Sequence, residues 1–352
     1  MISLIALVGG LALLLLGAEL LVRGATGAAR RLRIPALVIG LTVVAYGTSA
    51  PEMAVSLRAA LAGNSAIAVG NVVGSNLFNI LMILGLSALI TPLAVKSRLI
   101  RLDIPVMIGL SALLLLLALT RGVGRIEGIG LLLGLVIYTV LTFRLGRQEV
   151  GPSTATPVPE PQRPLWRSLG FILIGLVALS VGARYFVDGA VWLADSIGIS
   201  EVVIGLVIVA AGTSMPEVVT SVVAAARGER DIAVGNVVGS NIFNILGVMG
   251  VSGIVAPAGV AIPDSIRQFD LPIMLAAAVI CLPIAFTGGK ISRWEGALLL
   301  GYFASYVTYI ILRAADHDAV EPFGWVMAGI VMPLTGITLA LLVGRSIISH
   351  RR

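Results

Sequence analysis

Long apolar runs dominate this chain, and short polar or basic segments separate them. A run of 18 or more mostly apolar residues is long enough to cross a bilayer as a helix, and the short alternating segments of a β-barrel do not occur here. The pattern predicts eleven membrane-spanning helices, at residues 2–22, 36–60, 67–91, 103–120, 126–143, 168–187, 201–226, 232–256, 270–287, 293–313 and 323–346.

Composition agrees with this pattern. The chain is 58% hydrophobic and 12% charged, with a mean hydropathy of +1.05, whereas globular domains carry about 25% charged residues. The net charge of +6 does not indicate nucleic acid, because the basic residues lie in short loops between apolar runs. We therefore predict an all-α polytopic membrane protein that has the lipid bilayer, and no nucleic acid, as its partner.

The distribution of basic residues predicts the orientation. Cytoplasmic loops of membrane proteins are enriched in Lys and Arg. With the N-terminus outside and the C-terminus in the cytoplasm, 18 of the 24 Lys and Arg residues fall on the inner side. The outer side then holds Arg58, Arg121, Arg125, Arg184, Arg267 and Arg313. The predicted location is the cell (inner) membrane.

One segment is typical of a linker. Residues 147–167 contain five prolines and few apolar residues, a composition that favours an extended connector over a folded domain. The chain is thus predicted to divide into a first half at 1–146, a cytosolic linker at 147–167, a second half at 168–313, and an extra C-terminal helix and tail at 314–352. The linker leaves no room for a regulatory domain.

Two stretches of the chain are nearly identical. Residues 67–80 read IAVGNVVGSNLFNI and residues 232–245 read IAVGNVVGSNIFNI, while GTSAPE at 47–52 matches GTSMPE at 212–217. Both pairs are offset by 165 residues, so spans 1–5 correspond to spans 6–10. Because five is odd, the second copy enters the membrane from the opposite face. This is the inverted-repeat design of secondary transporters, whose substrate site lies near the midplane.

The residues that point most directly to chemistry are Glu52 and Glu217. Each lies inside an apolar span, where an ionised side chain costs about 2.5–3.5 kcal/mol, and neither has a basic residue one turn away. A bound cation is the natural partner. By contrast, Asp103, Asp270, Glu127 and Glu295 fall near span starts and are predicted to cap helix N-termini.

Oxygen donors surround the two glutamates in the predicted helices. Thr48 and Thr213 lie one turn before them, and spans 3 and 8 pair Ser75 with Asn79 and Ser240 with Asn244 at i, i+4 spacing. Such groups suit Ca²⁺ and Na⁺ rather than zinc or copper. Proline before each glutamate is predicted to break the span and to free backbone carbonyls. The carbonyls predicted as possible ligands lie near Ala45, Thr48, Ala210 and Thr213.

These motifs resemble the two α-repeats of the calcium/cation antiporter superfamily, in its prokaryotic sodium/calcium exchanger branch. The resemblance covers spans 1–10 and implies ten core helices in two inverted five-helix repeats, with exchange of Ca²⁺ for Na⁺ at one central site. It implies Ca²⁺-coordinating glutamates at Glu52 and Glu217 and a polar mid-site pair at Asn79 and Asn244. Hydroxyl and carbonyl ligands are implied at Thr48, Ser49, Ser75, Thr213, Ser214 and Ser240.

One position departs from the family pattern. Well-known sodium/calcium exchangers carry an aspartate where this chain has Asn244, so the formal charge of the predicted site is −2. Proton/Ca²⁺ exchange is one alternative and a cation channel is a more distant one; neither an enzyme nor a resident cofactor is expected, the ions being substrates. Stoichiometry, a part for K⁺, oligomeric state and the role of the eleventh helix stay open.

Overall fold

The computed structural model describes residues 2–149, 164–197 and 210–350, and these are nearly all helical. The helices are α1 (Ile2–Leu32), α2 (Ala36–Thr48), α3 (Ala50–Leu61), α4 (Ser65–Ile90), α5 (Leu99–Ala118), α6 (Arg125–Glu149), α7 (Leu165–Ser196), α8 (Ala210–Gly212), α9 (Met215–Ala226), α10 (Arg230–Val255), α11 (Ile266–Gly289), α12 (Arg293–Ala314) and α13 (Val320–Leu342, continuing to His350).

The described residues contain nine helices that are long and apolar enough to cross a membrane, and a tenth span if α2 and α3 count as one broken helix. These ten match ten of the eleven predicted spans. The other, predicted at residues 201–226, lies partly outside the described residues, and α8 and α9 are its described portion. Most of the predicted linker also lies outside them, between the end of α6 and the start of α7.

Helices α1 and α7 are longer than predicted. They end at Leu32 and Ser196, whereas the apolar runs end near residues 22 and 187. Polar residues do not by themselves terminate a helix, and α1 stops only where Arg33 adopts a positive φ of 54° two residues before Pro35. The hydrophobic pattern therefore marks the membrane-embedded part of each helix and not its full length.

The same two helices pack against each other at very short range. A Cβ added to Gly17 would lie 2.8 Å from the carbonyl oxygen of Gly175, and one added to Gly175 would lie 2.7 Å from the carbonyl oxygen of Gly17. The repeat equivalents Gly182 and Gly10 are in the same relation. Glycine is thus required for this approach, which is a common way for membrane helices to associate, and the pairing is symmetric between the two halves.

Short strand pairings show the inverted symmetry directly. Leu93, after α4, pairs with Ile291, before α12, in a two-stranded antiparallel ribbon. An isolated antiparallel bridge joins Val123, before α6, to Val260, after α10. Each pairing joins the connection after the third span of one half to the connection before the fifth span of the other half. The predicted architecture of two inverted five-helix repeats is confirmed.

Burial is concentrated in the middle of the fold. Every residue of α10 from Ile232 to Ile242 is buried, and α4 is buried over most of its length. The eleventh helix, α13, lies at the periphery, with little of its surface buried. An apolar cavity of about 750 Å³ lies between α13, α11 and α12, and the Tyr302 hydroxyl of α12 donates a hydrogen bond to Thr335 Oγ1 of α13 at 2.7 Å.

Candidate cation-binding site

The site is built where the broken helices of the two halves meet. Between α2 and α3 the chain bends by 47° at Ser49, whose backbone is not helical (φ −81°, ψ 12°). In the other half Ser214 has nearly the same conformation (φ −89°, ψ 6°) between α8 and α9. A proline follows each serine at the start of the next helix and removes an amide donor there. The predicted breaks are confirmed at both positions.

Each break places a glutamate in the centre of the protein. Glu52 and Glu217 are both 1% exposed. Ser49 Oγ donates a hydrogen bond to Glu217 Oε1 at 2.8 Å, and Ser214 Oγ donates to Glu52 Oε1 at 2.8 Å. A hydroxyl from each half thus serves the carboxylate of the other half. The two glutamates, 165 residues apart in the sequence, belong to one site.

Several buried oxygens at this site have no hydrogen-bond partner within the described residues. They are Glu52 Oε2, Glu217 Oε2, Asn79 Oδ1 and Asn244 Oδ1, and all four are acceptors. Buried polar atoms are nearly always satisfied, because an unpaired one costs about 1–3 kcal/mol and a charged one more. No Lys or Arg of the described residues forms an ion pair with either glutamate. These four unpaired oxygens thus have no positively charged partner among the described residues, and they are of the kind that coordinates Ca²⁺ or Na⁺.

The hydroxyl residues named from the sequence lie at the same centre. Ser75 Oγ is 3.3 Å from Ser214 Oγ, and Ser240 Oγ is 3.4 Å from the carbonyl oxygen of Ala45. The Thr48 hydroxyl also lies near the Glu217 carboxylate, and the Thr213 hydroxyl lies near the Glu52 carboxylate.

The carbonyl prediction holds less well at Ala45. Its oxygen is not freed by the break, because the Ser49 amide still donates to it at 3.1 Å. Proline removes a donor only at its own position, which lies two residues farther along the chain. In the second half the Ser214 amide donates instead to Ala211, at 3.2 Å, and so not to Ala210. The two breaks are similar in shape but differ in their backbone bonds.

Two asparagines that were not predicted from the sequence hold the glutamates in place. Asn71 Nδ2 donates to the Glu52 carbonyl at 3.0 Å and to Ser56 Oγ at 2.9 Å. Asn236, its repeat equivalent, donates to the Glu217 carbonyl at 3.4 Å and to Ser221 Oγ at 2.9 Å. The signal was present, since both asparagines belong to the duplicated GNVVGSN segment at membrane depth.

A second set of contacts not predicted from the sequence joins the two halves through hydrogen bonds of side-chain amides. Asn244 Nδ2 donates to Asn76 Oδ1 at 3.1 Å, and Asn76 Nδ2 donates to the Asn241 carbonyl at 3.4 Å. The helices become π-helical here, from Phe78 in α4 and from Asn244 in α10, a distortion often found at functional sites. With Asn244 used in this way, its Oδ1 is the atom that faces no protein donor.

The predicted capping roles divide into two groups. Glu127 accepts the Gly124 amide at 3.0 Å and Glu295 forms a capping box with Ser292, so these two predictions are confirmed. Asp103 and Asp270 make no such cap. They accept tyrosine hydroxyls instead, from Tyr138 at 3.0 Å and from Tyr306 at 2.8 Å. Both capping predictions were wrong because a π-helical turn precedes each aspartate and carries the helix past it.

Comparisons with known proteins agree with this geometry. Residues 2–144 and 167–312 match the model of the sodium/calcium exchanger protein family. The chain is 39% identical to a putative antiporter, CaxA, of Alkalimonas amylolytica, over 84% of this chain and 95% of that protein. It is 30% identical to the sodium/calcium exchanger MaX1 of Methanosarcina acetivorans, over 88% of this chain and 98% of that protein.

A solved structure shares the fold as well. The sodium-calcium exchanger NCX_Mj, soaked with Na⁺ and Sr²⁺, superposes with a TM-score of 0.75 at 32% identity, covering 88% of this chain and 98% of that one. The two matched regions of the family model end close to the ends of the two repeats. With its inverted repeats and central pair of glutamates, this chain is a multi-pass membrane protein of the sodium/calcium exchanger family.

Proposed function

We propose that this protein exchanges Ca²⁺ for Na⁺ across the cell membrane by alternating access at the site around Glu52 and Glu217. The observation that carries the proposal is the pair of buried carboxylates without a basic partner, each with one oxygen that no protein donor reaches. The names of two relatives, an exchanger of sodium and calcium in each case, support Na⁺ as the counter-ion.

The proposed ligands are oxygens contributed equally by both halves. They come from Glu52, Glu217, Thr48, Thr213, Ser49, Ser214, Ser75, Ser240, Asn79 and Asn244, with the carbonyls of Ala45 and Ala210. The set carries a formal charge of −2, which one Ca²⁺ or two Na⁺ would neutralise. Leaving two carboxylates ionised and empty at this depth is costly. That cost opposes the return of an unloaded carrier and couples the movement of one ion to that of the other.

The orientation and location are part of the proposal. With the N-terminus outside, the basic ends of the spans face the cytoplasm as the positive-inside rule requires. The protein acts as a transporter rather than an enzyme.

Reconstitution into proteoliposomes tests the proposal. Vesicles loaded with Na⁺ and diluted into Na⁺-free medium should take up ⁴⁵Ca²⁺, and an equal H⁺ or K⁺ gradient should not drive uptake. Glu52→Gln and Glu217→Gln should each abolish the Na⁺-driven uptake. Glu127→Gln is the matched control, because that acid is exposed and caps α6 away from the site, and it should leave uptake intact.

The alternatives give different results in the same assay. Uptake driven by an H⁺ gradient and not by Na⁺ would identify a proton/Ca²⁺ antiporter. Ca²⁺ flux that needs no counter-ion would identify a channel. Full activity of either glutamate variant would overturn the assignment of the site.

A further inference from the structure

The apolar cavity beside α13 is a long groove that takes no part in the cation site. Its floor is formed by α12, and α11 and α13 form its two sides. The exposed residues of the lining make one row on each side: Gln268, Pro272, Ala276 and Val279 on α11, and Ala328, Met332, Gly336 and Ala340 on α13. Because the members of a row are three or four residues apart, each row follows one face of its helix. The groove is therefore open along its length.

The groove has the length and the position of a lipid chain. Along α11 it extends from Gln268 to Pro283, which is about 22 Å at 1.5 Å per residue. The hydrocarbon of one leaflet is about 15 Å deep. Helices α11 and α13 are both long and apolar enough to cross the membrane, and little of α13 is buried. The open side of the groove thus faces the hydrocarbon of the bilayer.

Three hydroxyl residues in the lining are already bonded within the protein. The Tyr302 hydroxyl donates to Thr335 Oγ1 at 2.7 Å, and the Tyr306 hydroxyl donates to Asp270 at 2.8 Å. Ser305 Oγ donates to the carbonyl oxygen of its own helix at 2.9 Å. A water molecule needs two to four polar partners to stay in a cavity, and these hydroxyls have no hydrogen left to donate. The occupant that fits such a lining is a hydrocarbon chain.

Two arginines lie at one end of the groove. The Arg313 guanidinium lies over the ring of Phe269, 5.9 Å from its centroid, and Phe269 stacks on Tyr309 at 4.4 Å. Both aromatic residues belong to the lining. Arg267 is two residues before Phe269, is partly exposed and pairs with Asp264 at 2.7 Å. Arginine is well suited to bind phosphate, and basic pockets between membrane helices bind lipid headgroups.

Acidic residues lie at the same end. Asp316 and Asp318 are in the turn between α12 and α13, and Glu321 is in the first turn of α13. With Asp264 they make four exposed acids beside the two arginines. A headgroup with only negative charge would be repelled by the acids. A headgroup that carries both a phosphate and an ammonium group can pair with residues of both signs.

We propose that this groove binds one zwitterionic phospholipid of the bilayer, of the phosphatidylethanolamine type. One acyl chain lies along α11 and α13, the phosphate lies beside Arg267 and Arg313, and the ammonium group lies beside the acids. In the proposed orientation this lipid belongs to the outer leaflet. The inference is independent of the proposed ion exchange, because no lining residue is a proposed cation ligand. It gives the eleventh helix a role as one wall of a lipid site.

Native mass spectrometry of the full chain tests the choice of lipid. The protein is delipidated in detergent and titrated with palmitoyl-oleoyl phosphatidylethanolamine, or with phosphatidylglycerol of the same chains. We expect one phosphatidylethanolamine per chain, bound about fivefold more tightly than phosphatidylglycerol, the effect of about one charge at the membrane surface. Equal or tighter binding of phosphatidylglycerol would overturn the proposal. So would a lipid-free dimer, since the groove would then hold a second copy of the chain.

Two glycines of α13 provide a matched pair for the acyl chain. A Cβ added to Gly336 or to Gly329 meets no atom within 4 Å, so both positions accept a larger side chain. Gly336 lines the groove and Gly329 does not. Gly336→Leu should weaken phosphatidylethanolamine binding by about tenfold or more, because the leucine takes the space of the chain, and Gly329→Leu should not. Equal binding by the two variants would contradict the site.

Two arginines test the headgroup in the same way. Arg313→Gln should weaken phosphatidylethanolamine binding by about three- to tenfold, the effect of one charge-assisted hydrogen bond. Arg125→Gln is its control. Arg125 is exposed at the start of α6, on the same membrane face, as the bridge between Val123 and Val260 shows. Unchanged binding by Arg313→Gln would overturn the placement of the phosphate.

Thermal unfolding gives a second readout of the same site. A ligand that binds the folded protein raises its thermal midpoint. Added phosphatidylethanolamine should raise the midpoint of the delipidated wild type and of Gly329→Leu, and should leave that of Gly336→Leu unchanged. The lipid-free midpoints report whether each variant is folded. An equal rise in all three proteins would show that the lipid acts elsewhere and would overturn the proposal.

Discussion

At the scale of single residues, the charge of the site depends on one amide. Asn79 and Asn244 occupy equivalent positions in the two repeats, and Asn244 Nδ2 donates a hydrogen bond to Asn76 Oδ1. Two glutamates therefore supply all of the formal charge among the proposed ligands, so the proposed site would be neutral with one Ca²⁺ bound. Movement of that loaded form should not depend on membrane potential.

Adding a carboxylate at this position tests the charge count. Asn244→Asp raises the formal charge to −3, so the Ca²⁺-loaded carrier becomes −1 and its movement should become voltage-dependent. Ca²⁺/Ca²⁺ exchange in vesicles at clamped potentials measures this. The wild type should show less than about a twofold change over 100 mV, and the variant several-fold, since one charge crossing that potential is worth about 2.3 kcal/mol. Asn64→Asp is the matched control. It adds the same charge at the exposed N-cap of α4, away from the site, and should leave the exchange voltage-independent. Voltage-independent exchange by Asn244→Asp at alkaline pH would contradict the count.

At the scale of elements, the broken helices decide where the glutamates lie. Pro51 and Pro216 are each the second residue of the second helix in a broken span, and each lacks the amide that would continue the backbone hydrogen bonds from the preceding helix. The bend of 47° brings Ser49 and Glu52 to the helix ends, where their side chains reach the other half.

Replacing Pro51 should raise the thermal stability of the protein and lower its transport activity. Pro51→Ala restores an amide that can bond the preceding turn, so α2 and α3 should straighten, the thermal midpoint should rise, and Na⁺-driven uptake should fall by about tenfold or more. Pro283→Ala makes the same change inside α11, away from the site, and should raise the midpoint with uptake retained. Normal uptake by Pro51→Ala would show that the break is not needed.

Much of the arrangement of the helices could be predicted from the sequence, because glycine, proline and carboxylate residues are uncommon in the middle of a membrane-spanning helix unless they break it or form a site. The breaks, the pairing of Glu52 with Glu217 and the inversion all follow from the repeat. The tyrosine bonds of Asp103 and Asp270 could not be predicted, since they depend on which faces of separate helices meet. The crossed serine bonds and the Asn71 and Asn236 contacts are long-range in the same sense.

At the scale of the whole molecule, the ten-helix core and the eleventh helix are distinct. The matched family regions end at residue 312, just before the end of α12. Beyond it, α13 packs loosely and an apolar cavity lies beneath it. No residue of α13 is among the proposed ligands.

A chain ending at Ala314 should therefore keep the exchange activity. We expect more than about half of the Na⁺-driven uptake per folded protein to remain, with a lower thermal midpoint from the loss of helix packing. Size-exclusion profiles and uptake by the truncated and full chains measure this together. Loss of uptake by a monodisperse truncated protein would show that α13 takes part in transport.

The hydrogen bonds from Ser49 and Ser214 to the glutamates of the opposite half have a consequence for the speed of the proposed transport cycle. The Ser49 and Ser214 hydroxyls donate their hydrogens to the glutamates of the opposite half. Each hydroxyl oxygen also has lone pairs, and rotation about the Cβ–Oγ bond of the serine turns them towards an arriving cation. In the proposed transport cycle, each serine would therefore exchange its bond to a glutamate for a bond to the ion by a torsional movement of one hydrogen. Filling and emptying the site need not wait for heavy atoms to rearrange.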